Sequence, residues 1–384
     1  MKQYDYIICG LGCAGMSLVY KMLQNNSLSH QSILLIDSNA KTQNDRTWCF
    51  WEKDIGLFES LVSHRWDSLG ILAEEEHYYS IAPYQYKMIE GLNFYNEVLK
   101  LISQFPNVHF IQDEVISIIS ENEPTVKTSQ ASYAANYIFN SIVFEPQKLQ
   151  TTNSLIQHFK GIEVEVDEDF FNPQQARFMD FNVTQQFGNS FMYVLPTSKK
   201  TALVEFTIFS KSILKEIEYD EVLKEYLENL LNKKSYNILH TEMGAIPMTD
   251  YIFPTNDKKI IHIGTAAGWV KASSGFAFSN IQKRTTQIVE RLIRNENPVL
   301  KRNFSDRKFY FYDSVLLEVL NSKKLSAANI FSSIFKKNKP TLVLRFLNNE
   351  TNLLEDLKIM SSAPTHIFLP IALKKLLGSW FKKN

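Results

Sequence analysis

The segment from Tyr4 to Asp37 constrains this chain more than any other. Tyr4 to Cys9 is an apolar run of strand length, and Gly10-Leu11-Gly12-Cys13-Ala14-Gly15 comes directly after it. Met16, Val19, Tyr20 and Leu23 then recur at helical spacing, and Ser32 to Ile36 reads as a second buried strand ending on Asp37. A G-x-G-x-x-G run alone is a weak signal, but between a strand and a helix each glycine has a task. Gly10 permits a tight turn, Gly12 lets the backbone approach a pyrophosphate, and Gly15 lets the helix pack close to the strand. The helix N-terminus offers unpaired N–H groups and the positive end of its dipole to phosphates. Asp37 stands 22 residues beyond Gly15, where a carboxylate can accept hydrogen bonds from ribose hydroxyls. The pattern predicts a βαβ unit that binds a dinucleotide.

The rest of the chain reads as α/β. From Gln147 to Met248 apolar and polar residues mostly alternate between Gly, Pro and Asn, which predicts an antiparallel sheet interrupted by a helix near Tyr219 to Asn232. A helix is expected near Gly91 to Gln104, and strands over Val108 to Ile119 and Tyr133 to Phe144. Lys259 to Ile263 is another short strand, leading through a Gly/Ser/Ala loop to a long helix around Gly275 to Arg294; the remainder of the chain reads as helical.

Charge excludes some functions. The 41 basic and 41 acidic residues cancel, so nothing in the overall charge suggests a protein built to coat nucleic acid. Residues 300–384, however, hold 15 basic and 6 acidic residues on an otherwise acidic body. Such a tail suits an anionic partner such as a membrane surface, or forms a solvated helical face. His366 to Leu377, with Trp380-Phe381-Lys382-Lys383, has the apolar–basic mix of an interfacial anchor, or of a helix closing the core. Cys9, Cys13 and Cys49 form no C-x-x-C pair and the eight histidines no ligand spacing, so neither a disulfide framework nor a metal is expected. With no signal-peptide pattern and no run of about 18 apolar residues, the expected location is the cytoplasm, peripherally at the inner face of the membrane.

Two further segments narrow the cofactor and the chemistry. Gly264-Thr265-Ala266-Ala267-Gly268, ending a late strand, precedes Ser274-Gly275-Phe276-Ala277-Phe278 at a helix start. It resembles the element that closes the flavin site in FAD enzymes of the aromatic-hydroxylase type, with Thr265 where most of those hydroxylases carry Asp. Asn44-Asp45-Arg46-Thr47-Trp48-Cys49-Phe50-Trp51 puts two of the five tryptophans within four positions. Arg46 can meet a phosphate or carboxylate, and the aromatics can stack on a flat ring, line an apolar tunnel or fill a small core under the loop. Residues 191 to 209 read as a hairpin turning at Ser198-Lys199-Lys200. On its second strand Leu203, Glu205, Thr207 and Phe209 share one face, with Ala202, Val204, Phe206 and Ile208 on the other. Both faces are largely apolar, so the strand is expected to be buried on both sides, with Glu205 its single ionisable group. Desolvation there favours the protonated carboxyl, the state a general acid needs; a Glu paired with Arg or facing solvent is the plainer alternative.

The Asp45-to-Trp51 loop resembles that of the FAD-dependent, plant-related lycopene cyclases of bacteria. Three segments agree with it in order: Phe191 to Pro196 with Thr201 to Thr207 resembles the family's strand pair and acid motif, Gly244 to Thr249 its G-x-x-P segment, and Gly264 to Phe278, with Lys271, its late glycine block. Here Ala272 stands where that block often has Pro, Ser274 for Thr, Phe276 for Tyr, and Phe206 for the second of two adjacent acids. The resemblance spans roughly residues 4 to 290. It implies a Rossmann-type, aromatic-hydroxylase-like FAD-binding domain (1–70, 105–150 and 250–300), an antiparallel-sheet substrate domain (71–104 and 151–249) and a helical C-terminal region (301–384). The implied reaction is acid-catalysed isomerisation of lycopene, or a related linear carotene, with Glu205 as the acid. FAD would act reduced, with NAD(P)H or another reductant as electron source. Gly10, Gly12, Gly15, Asp37, Arg46, Gly264, Gly268, Lys271 and Gly275 are expected at the cofactor, and Trp48, Phe50, Trp51, Phe206 and Phe276 at the substrate, with Phe191 and Phe278 as further candidates. An FAD monooxygenase or prenyl reductase acting on a hydrophobic substrate is the alternative on the same fold, and a non-catalytic flavin-binding protein a more distant one.

Overall fold

The computed structural model describes residues 2–120 and 123–381, with no side chains described from 378 onward. The Trp380-Phe381-Lys382-Lys383 end of the anchor segment lies outside the described side chains.

Among the described residues the strands form three sheets. In the first, Lys2–Cys9 runs parallel between Ile33–Asp37 and Ser132–Asn140; Val108–Gln112 extends one side and Ile260–His262 the other. The central strands bury Ile7, Ile8, Cys9 and Ile33 to Ile36, as a parallel sheet covered on both faces requires. Helices Cys13–Leu23, Gly91–Ile102 and Phe278–Ile293 cover one face, and Val115 and Val126 help cover the other. Residues 91–102, grouped with the substrate domain from sequence, thus pack on the nucleotide side, because Phe94, Tyr95 and Val98 point into the same core as Met16 and Val19.

The second sheet has the order Asn237–Met248, Leu155–Glu165, Thr201–Ser210, Asn189–Pro196, Gln175–Asp180, Ser68–Leu72 and Glu76–Ser80. It is antiparallel except where Gln175–Asp180 meets Ser68–Leu72. The hairpin at Ser198–Lys200 forms as the alternation predicts. Phe206 and its neighbours pack under helix Glu216–Leu230, and the opposite face meets the third sheet and the C-terminal helices. The third sheet pairs Gln85–Glu90 with Thr47–Glu52 and with His64–Trp66. The aromatic segment after Arg46, read from sequence as the close of a loop, is therefore a strand.

Helices Phe304–Ser322, Ala327–Lys337, Pro340–Leu347, Leu353–Ser362 and Thr365–Phe381 close the chain over the second core. A buried charge cluster ties two of them together. Lys308 pairs with Asp356 at 2.7 Å, and Asp356 also accepts from Thr351 at 2.6 Å and Tyr312 at 3.2 Å. Removing one partner of a buried pair strands the other, so Asp356→Ala should lower the unfolding free energy by about 3–5 kcal/mol in urea titrations; a loss under about 1 kcal/mol would show the cluster to be solvent-relaxed.

Candidate functional site

A cavity of about 380 Å³ lies between the glycine turn and the second sheet. On one side the turn brings Gly12, Cys13 and Ala14 to its wall. A side-chain carbon on Gly15 would sit 2.2 Å from the Gly10 carbonyl oxygen, so the helix can start here only on glycine. One on Gly12 would meet no atom within 4 Å: that position faces open space. Among the described residues no side chain caps the helix at Gly12, leaving its first N–H groups free for an anion. Asp37 sits behind the turn rather than on the cavity wall. One of its carboxylate oxygens accepts the Leu11 N–H at 2.6 Å and pairs with Lys41 at 3.1 Å.

The late glycine segment meets the turn from the opposite side. Gly264 has φ 56° and approaches Ala14; Gly275 has φ 72°, and a side-chain carbon there would strike the Gln157 amide. Gly264, Thr265, Ser274, Gly275, Phe276 and Phe278 border the cavity. The Gln157 Oε1 and Ser274 Oγ atoms are buried at this wall without a partner among the described residues, which a native interior rarely tolerates and a polar ligand would relieve. Uncapped helix, open face at Gly12 and unpartnered polar atoms together fit a dinucleotide. Arg46 borders the same space, its guanidinium held by Asp45 at 3.2 Å.

Besides Asp37, two expected cofactor residues fall away from this cavity. Gly268 ends the short helical turn Gly264–Ala267 and faces Phe253. Lys271 is buried against the C-terminal helices, pairing with Asp313 at 2.8 Å and donating to Asn349 at 2.7 Å, over the Phe309 ring. Of the expected substrate aromatics, Trp48 and Phe276 line the cavity, as does Phe278. Phe50 does not: it stacks on Phe278 at 4.2 Å in the nucleotide-side core. Trp51, farther along the strand, is buried with its indole N–H on the Leu344 carbonyl at 3.1 Å. Phe206 is on the opposite face of its sheet, against Tyr219, because alternation separates it from Glu205. Phe191 packs on Phe209 and Tyr193 outside the cavity.

Glu205 lines the cavity, in register with Tyr193 on one side and Gly161 on the other. Gly161 is also in register with Glu242 of the next strand, so the two carboxyls flank one glycine on one face. A side-chain carbon at Gly161 would lie 3.2 Å from Glu242 Cγ and 3.5 Å from Glu205 Cβ; both acids lean over the missing side chain. Glu205 accepts the Thr207 hydroxyl at 2.6 Å and Glu242 the Thr47 hydroxyl at 2.8 Å. Burial first, then the Glu242 charge, raises the Glu205 carboxyl above the usual carboxylate range, opposed by Thr207. Burial likewise raises Glu242 and the Cys49 thiol, and holds the Tyr86 and Tyr193 hydroxyls well above their ordinary values. The site favours uncharged groups throughout. It can present a protonated carboxyl to an apolar substrate beside aromatic faces, which attract cations.

Sequence reading missed Glu242. Its signal was present: it stands two residues before the Gly244–Thr249 segment, and alternation puts it on the face shared with Gly244 and Ile246.

A model of the lycopene cyclase protein family matches residues 5–372. This chain belongs to the lycopene cyclase family. Among solved structures, a geranylgeranyl bacteriochlorophyll reductase-like protein from Thermoplasma acidophilum aligns with a TM-score of 0.68 at 14% identity, covering 98% of this chain and 99% of that one. A flavoprotein/dehydrogenase from Cytophaga hutchinsonii gives 0.64 at 9%, over 98% and 100%. A probable FAD-dependent monooxygenase from Pseudomonas aeruginosa gives 0.59 at 11%, over 87% and 100%. These likenesses establish the fold of FAD-dependent flavoproteins with a helical C-terminal region.

The contrast between the two glycines is measurable without ligand. Gly15→Ala should lower the urea midpoint of the unliganded protein, since the added methyl meets backbone, whereas Gly12→Ala should stay within about 0.5 kcal/mol of the parent. Lys271→Ala should destabilise by about 3–5 kcal/mol by stranding Asp313; a stability loss below about 1 kcal/mol would restore Lys271 as a candidate ligand contact.

Proposed function

We propose that this protein is a lycopene β-cyclase, converting the open ψ-ends of lycopene, or of a related linear carotene, to β-rings without net redox change. The observation that carries the reading is the raised Glu205 carboxyl on the wall of an aromatic-lined cavity, in a chain of this family. Glu205 delivers its proton to C2 of the terminal double bond. The cation at C1 is captured by the C5=C6 bond, closing a six-membered ring, and the cation then at C5 loses a proton from C6. Trp48, Phe276, Phe278 and Tyr193 wall the space and keep out water, which would trap the cation as an alcohol. Gly10, Gly12, Gly15, Gly264, Gly275 and Arg46 would hold FAD, with Asp37 fixing the turn from behind. Bound and reduced by NAD(P)H or another donor, the flavin supplies negative charge that stabilises the cation.

Access to a hydrocarbon substrate calls for contact with the bilayer. Among the described residues no helix is long and apolar enough to cross a membrane. In helix Thr365–Phe381, Ile367, Phe368 and Ile371 pack inward, while Leu369, Leu373 and Leu377 are exposed at i, i+4 and i+8. Lys374 and Lys375 are engaged by Glu318, so the apolar row rather than these charges would make the contact. Leu373→Glu with Leu377→Glu should abolish co-sedimentation with anionic vesicles; unchanged sedimentation would remove this helix from the role.

Expressed in a lycopene-accumulating bacterium, the chain should yield cyclic carotene, and Glu205→Gln should lose on the order of 10²–10⁴-fold in rate with flavin retained. Because the acid form is active and its pKa is raised, the rate should hold through neutrality and fall as pH rises through that pKa. Equal conversion by Glu205→Gln would remove the acid. Stoichiometric NAD(P)H consumption, with oxygen dependence or a reduced product, would favour a monooxygenase or prenyl reductase.

A further inference from the structure

We propose that Glu205 and Glu242 act as a carboxyl dyad across Gly161, sharing one proton, with Glu242 a positioning residue that keeps Glu205 in its acid form and restores it after each turnover. This rests on the cyclase reading for its chemistry, but the dyad itself stands on geometry. The two carboxyls extend from strands on either side of Leu155–Glu165, both in register with Gly161. Their backbones are therefore about 10 Å apart, two strand spacings. Any residue larger than glycine at 161 would fill the gap that both side chains enter. Among the described residues no basic side chain is hydrogen-bonded to either acid; each accepts a threonine hydroxyl instead. Thr207 and Thr47 thereby orient one oxygen of each carboxyl without neutralising it.

The groups around the pair set its charge. Tyr193 faces Glu205 from the neighbouring strand, and Cys49 and Tyr86 face it from the third sheet; burial keeps all three neutral. Burial raises the Glu242 carboxyl; the Thr47 hydroxyl, His240 and Arg46 oppose that, and Asp45 adds to it. Glu242 is thus the member nearer positive charge, and Glu205 the member whose facing groups are neutral. Two like charges on either side of one glycine raise each other's proton affinity in such a setting, so the pair retains one proton, and Arg46 makes Glu242 the member that ionises more readily.

The cycle then balances. The Glu205 O–H bond breaks as the C2–H bond forms, leaving both carboxyls ionised. The proton that C6 releases, as the C5=C6 double bond forms, is taken up by the pair and returns to Glu205. The pair holds one proton before and after turnover, and the product is an isomer of the substrate.

The test uses the flavin-loaded protein. Infrared spectra taken across pH should show a protonated-carboxyl band that Glu205→Gln removes. In Glu242→Gln its midpoint should fall by about one pH unit or more, a tenfold loss of proton affinity, and the basic limb of the cyclisation profile should fall with it. Glu242→Asp should restore most of the shift. Should Glu242→Gln not fold, Glu242→Ala, which also removes the neighbouring charge, should move the midpoint the same way. A midpoint unmoved in whichever of the two folds would overturn the dyad even if lycopene is cyclised. A shifted midpoint in a protein that never cyclises lycopene would leave the dyad standing and refute the cyclase reading.

Discussion

A carboxyl group stays protonated near neutral pH where water is scarce or like charge is close, and the cleft of this protein supplies both. Glu205 cannot be shielded by its own strand, which is one residue wide. Shielding comes from the third sheet and the C-terminal helices laid over the same face, where Trp51, Trp66 and Phe178 close the second core. The nucleotide turn supplies the remaining wall. Three separate parts of the chain thus determine the protonation of one side chain, and loosening any of them would admit water to it.

The late glycine segment serves two structures at once. Its beginning, Gly264 and Thr265, lies against the nucleotide turn, and its end, Gly275 and Phe276, reaches the cavity. Between them Lys271 and Ser273 are fastened to Asp313 of the helix Phe304–Ser322. A buried ion pair contributes little net stability over an apolar core, but it penalises misplacement heavily. Lys271 therefore sets where the segment lies between the nucleotide sheet and the C-terminal helices, and through that the position of Phe276. Its contacts lie with the C-terminal helices and not on the wall of the cavity.

The same architecture carries reductase-like, dehydrogenase and monooxygenase proteins. A fold of this breadth specifies where a dinucleotide sits and leaves the chemistry to the residues facing it. Here those residues are a pair of acids, two threonines and a ring of aromatics, a set suited to moving a proton and sheltering a cation. The substitution of Phe206 for a second adjacent acid fits this arrangement. Phe206 faces the core beneath helix Glu216–Leu230, where a charge would be stranded, and the second carboxyl in the cavity comes from Glu242 on another strand.

What the sequence determined by itself was local. Strand–glycine–helix spacing gave the glycine turn between the first strand and helix, period-two alternation the 191–209 hairpin and the face that Glu205 shares, and motif order pointed to the family. Each is a relation among neighbours, where backbone geometry leaves few choices. Alternation also separated Phe206 from Glu205, although the residue's aromatic character suggested the substrate side. Only the tertiary structure decided which distant groups meet. Glu205 and Glu242 are 37 positions apart and become partners through a third strand that carries glycine between them. Lys271 finds Asp313 across 42 positions, and Trp51 finds the Leu344 carbonyl across 293. Such contacts depend on strand order and on the way helices close over a sheet. Those are set by the summed burial of the whole core, which no short stretch of sequence encodes.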